Sequence, residues 1–476
     1  MATLSKSAKS KSRRCATGST QAFLSRPSLA ELRAAGKRLR DKCPRESHAD
    51  WNPPNNRPDP VSLVKESDKG RIPQLVPIRH GRMLQTPFTF YRGAALNMAA
   101  DLSNTPVTGL RVQACGDCHL LNFGAFATPE RRIIFDINDL DETLPAPWEW
   151  DMKRLAASFV LACRDNGFSK SFAWDAAATC VRSYRERMAD FSKMRVLDLW
   201  YAHIDMEDLL PTIQDKQTRS RVRQRLAAAR HTSVVEHDFP KLAEVVGRLP
   251  KIKDNPPLIF HWRKRDAKWH TDAKTAFEVY RNTMEEDRRL LLDHYEMRDV
   301  AIKVVGVGSV GTWCGIVLLL ASEADALFLQ VKQAGPSVLE AYAGKSIYPN
   351  HGQRVVNGAR LMQSASDLFL GWSVGPAGNH FYVRQLKDMK IKMLVEVFNR
   401  TTMMQYAELC GWTLARAHAR GGEPATISGY LGKSDKFDRA VADFSVAYAD
   451  QSERDHKVLT KAVKAGRLKV VVEQVK

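Results

Sequence analysis

The chain has 476 residues, a hydrophobic content of 44% and a formal net charge of +19. Such a length allows roughly two or three domains with a sizeable core, which excludes a short peptide or a wholly disordered protein. No apolar stretch is long enough to predict a transmembrane segment. Eight cysteines without a framework spacing favour a reducing compartment over a disulfide scaffold, so we expect a cytoplasmic protein.

The excess positive charge predicts an anionic partner, such as a nucleotide, a nucleic acid or an acidic membrane surface. Nucleic acid is the less favoured partner, because no recognisable binding module accompanies the basic runs 219–230 and 457–469. Residues 1–30 contain no acidic side chain, a composition typical of a disordered tail and also of a transit peptide. We therefore expect residues 1–60 to be a basic tail and linker, with folded structure from about Val61.

Three arginines, Arg79, Arg82 and Arg92, precede the first expected strand. Either they bind phosphate, or they form ion pairs with the acidic loop that follows Asp136. The residue pattern alone leaves both uses open.

Polar residues lie at the ends of short expected strands in the segment that follows. Alternation predicts a strand over 110–114, and a strand, a turn and a strand over 123–135. Phosphoryl transfer needs a carboxylate beside the attacking hydroxyl, and oxygen ligands for magnesium. Asp117, Asn122 and Asp136 supply that set; alternatively, they cap turns and belong to a solvated acidic loop.

The order of these three residues resembles the catalytic and metal-binding segments of aminoglycoside phosphotransferases and other kinase-like enzymes. The resemblance implies that Asp117 orients or deprotonates the acceptor, and that Asn122 and Asp136 bind magnesium. Another interpretation is a metal-dependent hydrolase, whose ligands would be His119, Asp136, Asp139 and Asp141. A C-x-x-C-H pattern at 115–119 is typical of haem attachment, but no export signal accompanies it.

Mostly helical structure is expected from residue 148 to residue 300. A helix is predicted over 148–164, and apolar periodicity continues through 170–300. We therefore assign 61–300 to one helical lobe that contains the catalytic loop.

A glycine-rich motif follows an expected strand at 300–305. Gly306, Gly308 and Gly311 form the motif G-x-G-x-x-G. In a dinucleotide-binding fold this motif is followed by a helix, and the next strand ends in an acidic residue that binds ribose. Here the next expected strand ends in Lys332. A kinase glycine loop instead joins two strands, and its lysine pairs with a helix glutamate, for which Glu340 is the candidate.

In the kinase interpretation the glycines cover the nucleotide phosphates, and Lys332 with Glu340 binds them. Alternatively, the glycines form a tight turn and Lys332 is an exposed residue at a strand end, without a role in phosphate binding. Strands at 367–372 and 381–385 would complete a small sheet lobe over 301–395, with a hinge at 386–389 lining an adenine pocket. Residues 396–476 are expected to be helices that pack on the large lobe.

The segments that carry a family resemblance are Phe88 to Asp101, Val112 to Asp151, Val304 to Thr312, Phe328 to Glu340 and Phe381 to Lys390. They resemble an uncharacterised bacterial family, domain of unknown function 2252, which is grouped with kinase-like folds. The resemblance implies an α+β, two-lobed, protein-kinase-like fold with a largely helical large lobe and a small antiparallel sheet lobe. Because the catalytic loop precedes the glycine loop, we expect this fold to be circularly permuted.

The expected function is therefore an ATP- and magnesium-dependent phosphotransferase, which acts on a hydroxyl of an unknown small-molecule or protein acceptor. A nucleotidyl transferase on the same scaffold is one alternative. A nucleotide-sensing binding module without turnover is another, since a fold does not determine a function.

Overall fold

A computed structural model describes residues 27–231, 239–246, 249–261, 267–304, 306, 308, 310–322, 325–386 and 390–473. Residues 1–26 of the expected disordered tail lie outside this part of the chain, and so do residues 387–389 of the expected hinge. The fold is α+β, with small antiparallel sheets. Within the described ranges, no helix combines the length and apolarity needed to cross a bilayer.

The helices are α1 Leu29–Arg38, α2 Pro60–Ser67, α3 Val76–Met83, α4 Pro87–Gly93, α5 Ala95–Leu102, α6 Trp148–Asp165, α7 Lys170–Phe191, α8 Val196–Tyr201, α9 Met206–Leu209, α10 Lys216–His231, α11 Phe239–Leu242, α12 Ala267–Arg281, α13 Glu286–Leu292, α14 Glu340–Ala343, α15 His351–Met362, α16 Arg400–Gly421, α17 Pro424–Leu431 and α18 Lys436–Lys464. The strands are β1 Arg111–Ala114, β2 Phe123–Ala127, β3 Ile133–Ile137, β4 Leu144–Pro147, β5 Ile204–Asp205, β6 Ala243–Val246, β7 Leu249–Ile252, β8 Ile259–Phe260, β9 Glu296–Lys303, β10 Cys314–Ser322, β11 Asp325–Ala334, β12 Gly371–Val374, β13 His380–Gln385 and β14 Ile391–Lys392.

Ordered structure begins earlier than the sequence predicted. A capping box starts α1, because the Ser28 hydroxyl accepts from the Glu31 amide at 3.2 Å and the Glu31 carboxylate accepts from the Ser28 amide at 2.7 Å. The helix then packs closely on α17: a Cβ at Gly36 would lie 2.0 Å from the Thr426 carbonyl oxygen. The expectation that folding starts near Val61 is therefore wrong, since local capping and this contact order 29–38.

The helical part is built around α6, which is buried along its whole apolar length from Trp148 to Cys163. Helices α7 and α18 pack against it, and α16 packs on α7. Trp148 stacks on Tyr184 with ring centroids 5.7 Å apart. Burial of each such large apolar side chain contributes about 1.5–3 kcal/mol, so this helix is the centre of the main core. The helix predicted at 148–164 is confirmed.

The larger sheet has six antiparallel strands in the order β12-β13-β11-β10-β9-β8. Lys332 in β11 pairs in register with Tyr382 in β13, so both side chains lie on one face. The opposite face packs with α12 through an apolar cluster that includes Tyr280 and Leu329. The expectation of a strand after Gly311, and not a helix, is confirmed: β10 begins at Cys314.

A second sheet, in the order β14-β2-β3-β5, contains the hairpin that follows the candidate catalytic loop. Strands β2 and β3 pair as the sequence predicted, but Asp136 lies inside β3, opposite Gly124, and not at the strand end. The region 170–300 also contains short strands between its helices, where a mostly helical structure was expected.

Candidate functional site

A cleft of about 1230 Å³ lies between the six-stranded sheet and the β2–β3 hairpin. Its walls include Asn122, Asp139, Gly306 and Lys332, which come from three separated segments of the chain. The tertiary fold therefore brings together the catalytic-loop, glycine-loop and lysine-strand candidates. Large clefts with a few convergent polar groups are the usual sites of ligand binding.

The candidate catalytic loop is held at its start by a carboxylate of α6. Asp151 accepts hydrogen bonds from the backbone amides of Cys115 and Gly116, at 2.5 and 3.0 Å, and from His418 Nε2 at 3.0 Å. Gly116 adopts a φ of +81°, and a Cβ there would lie 2.4 Å from the Glu142 carbonyl oxygen. Only glycine fits such a left-handed close approach without strain.

Asp117 presents two different carboxylate oxygens. Its Oδ1 accepts from Arg154 Nε at 2.8 Å and also from Arg154 Nη2, whereas its Oδ2 accepts no hydrogen bond from the residues that the structure describes. The side chain is 22% exposed; Asp117 itself does not line the cleft, but its carbonyl oxygen accepts a hydrogen bond from Asn122, which does. One oxygen thus orients the carboxylate, and the other is available to a bound molecule.

Asn122 joins the catalytic loop to the hairpin. Its Nδ2 donates to the Asp117 carbonyl oxygen at 2.8 Å, and its own carbonyl oxygen accepts from the Asn138 amide at 2.7 Å. The amide contact fixes the side chain of Asn122, which lines the cleft and whose Oδ1 is an atom type that Mg²⁺ binds.

Asp136 is completely buried and does not line the cleft. Its Oδ1 accepts from the Ile137 amide at 2.8 Å and from Arg416 Nη2 at 2.6 Å. Its Oδ2 accepts from the amide and the hydroxyl of Ser364, at 2.8 and 2.7 Å. Protein donors thus occupy both oxygens, and the geometry is that of a structural ion pair.

Asp139 and Asp141, which follow β3, contact Lys332 in the cleft, whereas Asp136 does not. Lys332 Nζ lies 3.5 Å from Asp139 Oδ2 and 3.2 Å from Asp141 Oδ2, and the Tyr382 hydroxyl donates to Asp141. Burial opposes ionisation of Asp139, but Lys332 and Arg384 outweigh it and hold the pKa of Asp139 well below its ordinary range. Burial and the neighbouring Asp139 raise the pKa of Asp141.

Lys332 remains a cation in this environment. Burial alone would lower its pKa, but the charges of Asp139 and Asp141 outweigh that effect and raise the pKa well above its ordinary value. The expected pair with Glu340 is wrong. The Glu340 carboxylate accepts from the Ser337 amide at 3.2 Å and lies 3.8 Å from His351 Nδ1. Helix α14 is only four residues long, and the carboxylates that contact Lys332 are those of the acidic loop, Asp139 and Asp141.

The three glycines occupy different places. Gly306 lines the cleft, and its carbonyl accepts from Arg82. A Cβ at Gly308 would lie 3.5 Å from the Arg92 carbonyl oxygen, so Gly308 lies beside α4. Gly311 lies away from the cleft walls, where its carbonyl accepts from the Ile72 amide at 2.6 Å.

The hydrolase and haem interpretations receive little support from this geometry. His119 is 5% exposed, and burial lowers its pKa to about 4. Cys115 and Cys118 are buried free thiols, and burial raises the pKa of Cys118 to about 12. Their sulfur atoms lie within 4.8 Å of an Asp151 oxygen, but the Asp151 carboxylate already accepts from two amides and a histidine.

Sequence reasoning missed the residues that hold the candidates in place, chiefly Asp151, Arg154 and Arg416. A signal for the first two was present, since they are charged residues on a helix that is otherwise predominantly apolar. Buried charges are nearly always paired, so such residues predict partners elsewhere in the fold.

A family model described as an uncharacterised protein conserved in bacteria (DUF2252) matches residues 71–462. No curated protein and no solved structure matches the chain. The match includes the catalytic-loop candidates, the six-stranded sheet and most of the C-terminal helices. The chain therefore belongs to this family of uncharacterised bacterial proteins.

Proposed function

We propose that this protein is an ATP- and magnesium-dependent phosphotransferase with a circularly permuted, kinase-like fold. The observation that carries the proposal is the Lys332–Asp139 ion pair, which lies in the same cleft as Asn122 and Gly306. A phosphate-binding lysine, oxygen ligands for magnesium and a glycine turn are the parts that phosphoryl transfer requires. The chain order of loop, strand, lysine strand and further strands agrees with the kinase resemblance.

In this proposal Asn122 and Asp139 bind magnesium, and Asp136 does not. The Oδ1 atom of Asp139 is buried and accepts no hydrogen bond within the described residues, so it can coordinate a cation. Asn122 lines the same cleft, and its amide oxygen is the second ligand in the proposal. These oxygen donors suit a hard cation. When bound, magnesium would neutralise charge that develops on the phosphate oxygens.

Asp117 acts on the acceptor. Arg154 holds Oδ1, so Oδ2 can accept the proton of the attacking hydroxyl. The acceptor oxygen then forms a bond to the terminal phosphorus, the bond from that phosphorus to the bridging oxygen breaks, and ADP leaves. Lys332 binds the phosphates, and Asp139 and Asp141 keep it protonated for this role.

Calorimetric titration with ATP, with and without Mg²⁺, tests the proposal. We expect magnesium-dependent binding, and we expect Asp139→Asn to weaken it more than tenfold. A matched control is Asp325→Asn, since Asp325 also lines the cleft but lies about 23 Å from Lys332 along β11 at about 3.3 Å per residue. Equal effects of the two substitutions would contradict the assigned metal ligand.

Product analysis separates the alternatives. Incubation with labelled ATP and a metabolite pool should yield an acceptor heavier by one phosphate, whereas a nucleotidyl transferase would add a nucleotide. Nucleotide binding without any labelled product would instead support the sensing module. Absence of ATP binding to the unmodified protein would refute all three.

A further inference from the structure

Arg92, in the last turn of α4, differs from the other two arginines of its segment. Arg79 pairs with Asp68 at 2.6 Å, and Arg82 pairs with Glu473 at 2.6 Å. Arg92 lines the cleft, and within the described residues its guanidinium forms no hydrogen bond and no ion pair shorter than 4.0 Å. Of the three, Arg92 is therefore the one with donors available to a ligand.

The position of Arg92 is fixed relative to the catalytic carboxylate. The carbonyl oxygen of the preceding residue, Tyr91, accepts from Arg154 Nη2 at 3.2 Å, and the same guanidinium binds Asp117. On its other side, Arg92 contacts the glycine loop, since a Cβ at Gly308 would lie 3.5 Å from the Arg92 carbonyl oxygen. Arg92 thus lies where the catalytic loop and the glycine loop meet.

The environment of this guanidinium favours an anionic ligand. Its Nε atom is buried without a hydrogen-bond partner, and a buried charged donor that lacks an acceptor is costly. Burial lowers the pKa of Arg92, and the nearby charges of Asp117 and Glu396 oppose that effect without contacting it. An arginine stays protonated in proteins, so a phosphate can restore the missing hydrogen bonds.

We propose that Arg92 forms a subsite for the terminal phosphate of the bound nucleoside triphosphate. The inference rests on the proposed function, because it takes the cleft to be the nucleotide site. Arg92, Lys332 and Asp139 all line that cleft, and the charge of Asp117, the residue that the proposed function assigns to the acceptor, acts on Arg92. Arg92 then stabilises the charge on the transferred group as the bridging bond breaks, and loss of one such donor lowers kcat by about 10²–10³-fold.

The test compares ATP with ADP, which lacks the terminal phosphate. Calorimetry should show that Arg92→Ala weakens Mg-ATP binding by about ten- to a hundredfold while the Kd for Mg-ADP changes less than threefold. Arg92→Lys should retain part of the preference for ATP, since it keeps the charge but not the planar donor pair. The control is Lys392→Ala, which removes a cation from the same cleft and should not affect ATP selectively.

The binding results distinguish failure of the Arg92 subsite from failure of the proposed function. Equal weakening of ATP and ADP in the alanine and lysine variants would overturn the subsite while leaving the proposed function intact. If the unmodified protein binds neither nucleotide, the proposed function itself fails. Circular dichroism verifies folding, and if Arg92→Ala does not fold, the ATP-to-ADP ratio of Arg92→Lys decides the result.

Discussion

The buried pair of Asp136 and Arg416 allows a decisive perturbation, because sequence and geometry assign Asp136 different roles. A metal ligand would matter for nucleotide binding, whereas a structural ion pair matters for folding. Substitution Asp136→Asn keeps the shape of the side chain and removes its charge. Both partners are almost completely excluded from solvent, at 0% and 1% exposure.

The expected loss follows from the contacts. Removal of one partner of a buried ion pair costs about 3–5 kcal/mol, since the other charge is left uncompensated. In Asp136→Asn, Arg416 loses its charged partner and keeps only neutral acceptors, the new amide oxygen and the Met362 carbonyl oxygen at 2.9 Å, and its Nη1 atom already has no partner within the described residues. We therefore expect the free energy of unfolding to fall by about 3–5 kcal/mol.

Urea unfolding, followed by tryptophan fluorescence, measures this loss. Because the slope for small proteins is about 1–3 kcal/mol/M and grows with the surface exposed, the midpoint should fall by about 1 M. The double variant Asp136→Leu with Arg416→Met is the matched control. It removes both charges of this pair and should recover most of the lost stability.

Binding measured on the same variant completes the test. At a temperature where Asp136→Asn is folded, its Mg-ATP affinity should equal that of the unmodified protein. Unchanged stability together with abolished magnesium-dependent binding would refute the structural assignment and return the metal to Asp136.

Three further predictions concern the catalytic loop. Asp117→Asn should abolish turnover while the Kd for ATP stays within about threefold in calorimetry, because Asp117 acts on the acceptor; an active variant would remove it from the mechanism. The unfolded chain binds more protons than the folded one between pH 6.5 and about 4, since burial lowers the pKa of His119 to about 4, so stability should fall as the pH decreases through this window. Thermal unfolding of His119→Gln should show a smaller loss over the same window, and an identical profile would contradict the assignment. In a Cys15→Ser background, Cys115 and Cys118 should react with a thiol reagent only after denaturation, and a Soret band would overturn the free-thiol state.

Patterns that depend on neighbours in the sequence predicted much of the fold. Alternation located the hairpin of β2 and β3, and apolar periodicity located α6, because these signals reflect burial of one face of a local element. The strand on each side of the glycine region followed from the same reasoning. The capping box of α1 is equally local, but the basic composition around it masked the helix.

The tertiary structure decided which groups meet. Lys332 contacts Asp141 across 191 positions of sequence, and Arg416 contacts Asp136 across 280. A carboxylate motif gives the same local pattern whether its oxygens meet a buried arginine or a cleft lysine. Whether Asp136 or Asp139 lies beside the cleft lysine depends on which distant cation the tertiary fold places next to each carboxylate.

The same reason explains the arginines before the catalytic loop. Residue type and local element do not distinguish Arg92 from Arg79, since each is an arginine on a short helix. Packing gives Arg79 a carboxylate, Asp68, and leaves Arg92 in the cleft. Sequence alone determined many of the local elements of this protein, such as α6 and the β2–β3 hairpin, because their signals lie in neighbouring residues. The roles of its charged groups followed from contacts between distant segments, because pairing depends on three-dimensional distance.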